Sequence, residues 1–441
     1  MSRSVLLRIV LVAVFAIPIA KSRAGLIEYI EKPDAAYAWK LKEKKESPQG
    51  TIYDLHLVSQ TWQGMNWEHR LQVYQPKDSS PTETMFLFNT GGGPNAANQA
   101  LALELAKRIG SPIAFLYDIP NQPLFGNKKE DALIAETFCR FLDCEGKDES
   151  WPLLFPMAKS VVRSMDAIQA FSKEEWKKPV KSFVVSGASK RGWTTWLTGA
   201  SDKRVKAIAP LVIDTLNMVP QMEHQKASFG KYSDMIRDYT ERKLVPIPES
   251  SAAKRLWEIV DPYFYRDRLT MPKLMVNGAN DPYWTVDALN LYWSELKGDK
   301  SVLIVPNAGH SLREVNNGRS ELIPARAVNT LSAFARHMIQ DKPWPKMNWR
   351  HADVDGNASL SILPENSPKT GRVWVATCET RDFRKCVWKE MPVEVSEQGK
   401  LLIGRVKLPE KGCVALYGEV EYEIDNLKYT LSTQVRVCEM K

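Results

Sequence analysis

The sequence predicts a doubly wound α/β domain on a mostly parallel sheet, followed by a small C-terminal β-sandwich of the immunoglobulin-like kind. Three observations predict it. Continuous apolar runs at residues 85–88, 113–117, 183–185, 207–213, 273–276 and 302–305 alternate with stretches of helical spacing. Such runs belong to strands covered on both faces. Two segments of alternating polarity, 52–58 and 70–74, precede them and read as an antiparallel pair. Near Lys342-Pro343-Trp344-Pro345 the character changes, and β-rich runs at 371–377, 401–406, 414–421 and 431–437 follow, divided by Gly, Pro and Asn.

In chain order the first element is a leader. Arg3 and Arg8 precede an uncharged apolar run over 9–20, and small residues stand at Ser22 and Ala24, two apart, as a signal peptidase requires. The run is well short of the ~20 residues that span a bilayer. The expectation is a signal peptide over 1–24 and a secreted or periplasmic protein starting near Gly25; an uncleaved membrane anchor is the alternative. Arg3, Arg8, Lys21 and Arg23, with no acid among them, make up half of the formal charge of +8. Elsewhere Lys and Arg interleave with Asp and Glu, as in Lys42-Glu43-Lys44-Lys45-Glu46, which reads as a solvated face and argues against a nucleic-acid partner. With 44% hydrophobic and 25% charged residues, collagen, coiled coil and wholesale disorder are excluded.

The α/β domain is expected over 25–345, with helices at 98–108, 158–172, 193–200 and 286–296 between the strands. The stretch 215–270 is too long for one crossover and reads as an insertion that lies over the sheet like a lid. The sandwich takes 346–441. Within it Asp353-Val354-Asp355-Gly356-Asn357 resembles a calcium loop only faintly, because its glycine is misplaced and position twelve would be Pro364; it reads as a turn.

The stretch Phe183-Val184-Val185-Ser186-Gly187-Ala188-Ser189-Lys190-Arg191-Gly192-Trp193 carries the chemistry. A buried strand runs into a serine that opens a helix, the setting of a nucleophile elbow, where neighbours must be small and the hydroxyl stands clear of the sheet. It departs from G-x-S-x-G in one place: Arg191 stands where the second glycine is usual, and Gly192 follows. A serine needs a base, and the base an acid. His310 follows the run 302–305 through a Gly-containing turn, Pro306-Asn307-Ala308-Gly309. Asp281 follows the run 273–276 in a turn before Pro282, and Asp214, just after 207–213, is the rival acid. The loop Asn89-Thr90-Gly91-Gly92-Gly93-Pro94 follows the run 85–88, where oxyanion donors belong. Gly91, Gly92, Gly93 and the Lys190 N–H are the candidate donors. No Lys-Ser/Thr follows the glycines, which sets a P-loop aside. Trp193, Trp196 and Trp284 are close in sequence to the candidate triad and are candidate pocket residues.

Six cysteines agree with export. Cys139 and Cys144 are five apart, while Cys378, Cys386, Cys413 and Cys438 lie in the last quarter. The expected bridges are 139–144, 378–386 and 413–438. No C-x-x-C occurs and His351 is the only nearby histidine, so zinc is set aside and no cofactor is expected. Asn357-Ala358-Ser359 is the one N-x-S/T sequon.

With Asn89–Gly93, Asp118-Ile119-Pro120-Asn121-Gln122-Pro123-Leu124, the Ser189 region, Asn277-Gly278-Ala279-Asn280-Asp281-Pro282-Tyr283-Trp284 and Asn307–Ser311 assembled, the chain resembles the PhoPQ-activated pathogenicity-related family, which includes autocrine proliferation repressor-like proteins. The resemblance implies an α/β-hydrolase fold, export, and a triad of Ser189, Asp281 and His310; it implies no substrate. Gly187–Gly192 is also similar to the G-x-S-R-x-G segment of glucuronoyl esterases, which implies that the side chain at Lys190 helps to hold the oxyanion. The expected function is an exported serine hydrolase of small-molecule carboxylic esters or related acyl bonds. A secreted signalling or binding protein with a cell-surface partner, built on a hydrolase scaffold, and a peptidase acting on small peptides are the alternatives.

Overall fold

The structure, a computed structural model, describes residues 25–366, 368–396 and 400–440. The expected leader over 1–24 lies outside the described residues. The chain enters through a short helix, α1 (Leu26–Glu31), and an exposed strand, β1 (Ala38–Ser47). β2 (Gly50–Trp62) and β3 (Met65–Pro76) form the expected antiparallel pair. Gln63 and Gly64, both at positive φ, close it as a two-residue hairpin whose twist matches the strands. The βα rhythm follows: β4 (Thr84–Asn89), α2 (Ala96–Ile109), β5 (Ile113–Leu116), α3 (Glu130–Asp143), α4 (Leu154–Glu175), β6 (Ser182–Ala188), α5 (Lys190–Ser201) and β7 (Val205–Leu211). Helix α2 starts where Asn95 accepts the Asn98 N–H and stops where Gly110 turns left-handed at φ 73°. Between β7 and β8 (Lys273–Gly278) the chain makes α6 (Met218–Phe229), α7 (Arg237–Thr240) and α8 (Ser251–Val260). β9 (Lys300–Val305), a small hairpin of β10 (Val315–Asn316) and β11 (Arg319–Ser320), and α9 (Ala325–Ile339) complete this half. Among the described residues no helix is long and apolar enough to cross a membrane.

Across the sheet the order is β1-β2-β3-β5-β4-β6-β7-β8-β9, parallel from β5 to β9. From β2 onward this is the α/β-hydrolase order. The chain reverses its course at β4: the next strand joins one side and β6 joins the other. The crevice beyond the carboxyl ends of β4 and β6 is therefore a topological switch point, where open α/β sheets take their ligands.

The remaining strands are β12 (Met347–Val354), β13 (Asn357–Pro364), β14 (Thr370–Cys378), β15 (Lys389–Pro392), β16 (Glu394–Val395), β17 (Leu402–Lys407), β18 (Gly412–Ile424), β19 (Leu427–Ser432) and β20 (Arg436–Met440). The segment Asp353–Asn357 is a turn, closing β12 on β13 with Asp355 and Gly356 at positive φ. An antiparallel sheet β12-β13-β17-β16 packs on β19-β18-β14-β15 to make the sandwich. The second of these sheets continues the first half's sheet, because Ser432 of β19 pairs with Val302 of β9. One apolar core accordingly runs from Leu105, Val328 and Phe334 under α2 and α9 into Leu360 and Leu416 inside the sandwich. The opposite face is covered by α3, α4, α5 and α8 through Phe138, Met165, Trp196 and Trp257.

Three expectations are corrected. Residues 286–296 form two short 3-10 turns in place of a helix, because other side chains take the carbonyls that a helix would use. Gln221 donates to Ala288 O, Asn217 to Leu291 O, and Lys300 to both Trp293 O and Leu296 O. The run 431–437 is split between β19 and β20, where the Thr433 hydroxyl accepts the Gly418 N–H in place of a ladder bond. Of the expected disulfides only Cys378–Cys386 forms, and Cys139, Cys144, Cys413 and Cys438 are free thiols. Cys139 lies inside α3 and Cys144 caps it, so at ~100° per residue their side chains leave the helix on different faces. Cys413 pairs with Glu439 and Val414 with Cys438, which puts Cys413 and Cys438 on opposite faces of the sheet.

Candidate active site

At the end of β6, Ser189 adopts φ 57° and ψ −128° and opens α5, a strained turn that a side chain holds only under tertiary constraint. Its N–H donates to Leu211 O at 2.8 Å and its carbonyl accepts from Trp193 N–H at 3.0 Å. The turn is tight enough that a Cβ on Gly187 would come within 2.6 Å of Arg191 O, and one on Gly192 within 2.6 Å of the Ile213 methyl. The steric demand usually met by a glycine two places after the serine thus falls on Gly192.

Arg191, the departure from the motif, has a structural task. Its buried guanidinium donates to Ile119 O and makes a bidentate pair with Glu130 at 2.6 and 2.7 Å. Gly91 lies directly against this guanidinium, and a Cβ there would collide with it. That close approach accounts for one of the three glycines independently of any oxyanion. Gly92 sits at φ 69° and its carbonyl accepts from Asp118 N–H, while Gly93 approaches the Asp118 carboxylate. Asn89 spans from the same loop to Ser186 O and to the Thr195 hydroxyl, fixing β4 to the elbow. The Pro-Asn-Gln-Pro loop belongs to this framework, since Gln122 exchanges two hydrogen bonds with Glu130.

Lys190 is buried, with its ammonium 3.0 Å from both Glu130 and Asp131. Its charge is balanced where it stands. Burial alone would raise the Glu130 carboxyl, but Arg191, Lys190 and Gln122 outweigh it and hold the group well below the usual carboxylate range.

Asp281 and His310 follow β8 and β9. His310 Nδ1 and Asp281 Oδ2 are 2.8 Å apart, and the second carboxylate oxygen accepts the Tyr283 N–H at 2.8 Å. An ionised carboxylate only accepts, so Nδ1 donates to it, and in the neutral imidazole the lone pair is then on Nε2. Nε2 is buried and has no partner. The Tyr283 ring packs on the imidazole with centroids 4.3 Å apart. Asp214, the rival acid, binds Asn277 and the Tyr292 hydroxyl instead, and burial pushes its carboxyl up to about 7 against those two bonds.

Ser189, Lys190 and Tyr283 line one narrow pocket, closed by Trp193, Met218, Met222, Tyr239, Trp257 and Trp284. Helices α6 and α8 and the stretch between them supply Met218, Met222, Tyr239 and Trp257, so the segment between β7 and β8 roofs the pocket. Trp196 is fully buried in the core and takes no part in it.

Two asparagines in the acid and histidine loops have a bracing role that their sequence neighbourhood does not specify. Asn280 donates to Phe383 O and Cys386 O at 2.9 and 2.8 Å. Asn307 donates to Trp388 O at 2.9 Å and accepts the Trp388 N–H at 2.8 Å. Both loops are thereby fastened to the connection between β14 and β15, which the Cys378–Cys386 disulfide ties. Their one sequence signal is position: each is an amide next to, or three residues from, a candidate catalytic group.

The model of the family described as PhoPQ-activated pathogenicity-related protein matches residues 26–384. Autocrine proliferation repressor protein A of Dictyostelium discoideum is 33% identical over 435 residues, covering 90% of this chain and 85% of that protein. Among solved structures, an acetyl xylan esterase from Paenibacillus sp. R4 aligns at 15% identity with a TM-score of 0.47, covering 64% of this chain and 85% of its own. A glucuronoyl esterase from Solibacter usitatus aligns at 12% identity with a TM-score of 0.41, covering 70% of this chain and 87% of its own.

Proposed function

This chain belongs to the PhoPQ-activated pathogenicity-related protein family, and within it we propose an exported serine hydrolase of carboxylic esters or related acyl bonds. Ser189 Oγ attacks the acyl carbon while His310 Nε2 takes its proton, and Asp281 steadies the imidazolium. The tetrahedral oxyanion is received by backbone N–H groups of Lys190 and of the 91–93 loop. As it collapses, the bond to the alcohol breaks and the alcohol leaves with the proton from His310. Water, deprotonated by the same nitrogen, then frees the acid and restores Ser189.

One observation carries this reading: an imidazole oriented by a buried carboxylate, with Nε2 unpartnered, packs on the Tyr283 ring that lines the same pocket as Ser189. A leader over 1–24, an α/β-hydrolase domain over 25–345 with a lid over 215–270, and a sandwich over 346–441 belong to the same proposal. The test is labelling with a fluorophosphonate probe and hydrolysis of p-nitrophenyl esters. Ser189→Ala is expected to lose labelling and to lower kcat on the order of a thousandfold or more, with the fold retained. Full esterase activity in that variant would end the proposal. The D. discoideum relative, named as a repressor of proliferation, favours a second reading as a signalling protein on a hydrolase scaffold. That reading predicts an unlabelled wild-type chain.

A further inference from the structure

One of the free thiols stands beside the disulfide. In the β14–β18 ladder the register partner of Cys378 is Cys413. Directly opposed residues of an antiparallel pair point to the same face. Their Cα atoms lie about 4.5–5.5 Å apart, inside the range of about 4.4–6.8 Å that disulfides span. Cys386, the cysteine now bonded to Cys378, has its Cα 6.3 Å away. Cys413 is therefore at least as near to Cys378 as its present partner.

Three further observations agree. Cys378, Cys386 and the buried Cys413 belong to the apolar cluster on one face of the sheet, and Cys438 to that on the other. Cys378 and Cys413 border the same cleft, of about 330 Å³. The two strands also approach closely here: Gly412 has φ 83°, and a Cβ on it would lie 2.6 Å from Cys378 O. Burial, helped by Glu439 and opposed by Arg381, raises the Cys413 thiol, so it rests protonated.

We infer that Cys413 is the resident thiol of a disulfide-exchange site. Once deprotonated, its sulfur attacks Cys378 Sγ. The Cys378–Cys386 bond breaks, a Cys378–Cys413 bond forms, and Cys386 leaves as a thiolate that takes up a proton. One disulfide replaces another, so no oxidant or reductant is consumed. The new bridge staples β14 to β18. It leaves the 383–388 connection, which holds Asn280 and Asn307, without its covalent tie. None of this depends on Ser189 being a nucleophile.

The test maps disulfides in the full chain. Wild-type protein is held at about pH 8.5, where ordinary thiols begin to ionise, with a trace of reduced glutathione. It is then blocked with N-ethylmaleimide in denaturant, digested without reduction and read by mass spectrometry. A peptide pair joining Cys378 to Cys413, with Cys386 and Cys438 alkylated, is expected in about a tenth of the chains or more, since both pairings are single disulfides closed by one fold. Cys386→Ser, oxidised with glutathione disulfide, should bridge Cys378 to Cys413 and leave neither open to N-ethylmaleimide. Cys413→Ser should keep Cys378–Cys386 alone. Amide hydrogen exchange over 383–388 should be about tenfold faster in Cys386→Ser than in Cys413→Ser. A wild-type chain that holds only Cys378–Cys386 overturns the exchange site, whether or not Cys386→Ser folds. So does a folded Cys386→Ser chain in which both cysteines stay open. A wild-type bridge from Cys386 to Cys413 overturns the choice of Cys378 as the attacked sulfur, and equal hydrogen exchange overturns the release of the 383–388 connection.

Discussion

The two halves of the long sheet put their chain ends to different uses. From β5 to β9 every strand runs the same way, so every carboxyl end lies at one edge and the loops that follow can converge. Ser189, Asp281 and His310 stand at three such ends. In β19, β18, β14 and β15 neighbours alternate in direction, so loops are shared between two edges and no such convergence is available. That half supports the first. Its 383–388 connection fastens the acid and histidine loops through Asn280 and Asn307. Parallel pairing brings the candidate groups to one edge, and antiparallel pairing braces the acid and histidine loops.

Three variants break or sharpen this contrast. The largest effect is expected from Arg326→Ala. Arg326 of α9 joins Glu314 to Glu419, and Glu419 is fully buried in β18. Removing it leaves the buried Glu419 carboxylate with only Arg372, whose Nε stands 3.5 Å away, and should cost about 2 kcal/mol in urea unfolding. A loss below a few tenths would mean that the antiparallel half is not anchored through this ion pair. Activity per folded molecule should change little.

Asn307→Ala tests the wall directly. It deletes both bonds to Trp388 while leaving Asp281 and His310 untouched. We expect kcat about tenfold lower with KM nearly constant, since the loss is of imidazole placement. An unchanged kcat would sever the antiparallel half from catalysis.

The smallest effect belongs to Asp214. Burial raises its carboxyl to about 7, above its unfolded value, so the folded state prefers it protonated. Its stabilisation is therefore complete below about pH 4, its model-compound value, and is lost as pH rises through 7. Asp214→Asn, a neutral isostere, should melt higher than wild type at pH 8 and show no such gain near pH 4. An advantage that is the same at both pH values would count against this titration.

The elbow at Ser189, the succession of buried strands along the chain, and the aspartate and histidine loops were legible because each is a local pattern: an apolar run, a small-residue turn, a polar group at a strand's end. What was not legible is set by partners far along the chain. Residues 286–296 have helical spacing, yet side chains from α6 and Lys300 hold their carbonyls. Cys413 and Cys438 pair plausibly by separation, yet the ladder register turns them to opposite faces. Gly91 reads as an oxyanion residue, and the guanidinium lying on it comes from a residue a hundred positions away.

The amino-acid sequence by itself determined which residues end the strands and which of those are candidates for chemistry, because periodicity and turn composition act over a few residues. Only the tertiary structure decided which carboxylate holds His310, that Lys190 is already neutralised, and that the sandwich shares the sheet and braces the loops. Those outcomes depend on register and burial, which exist only once distant segments are packed together.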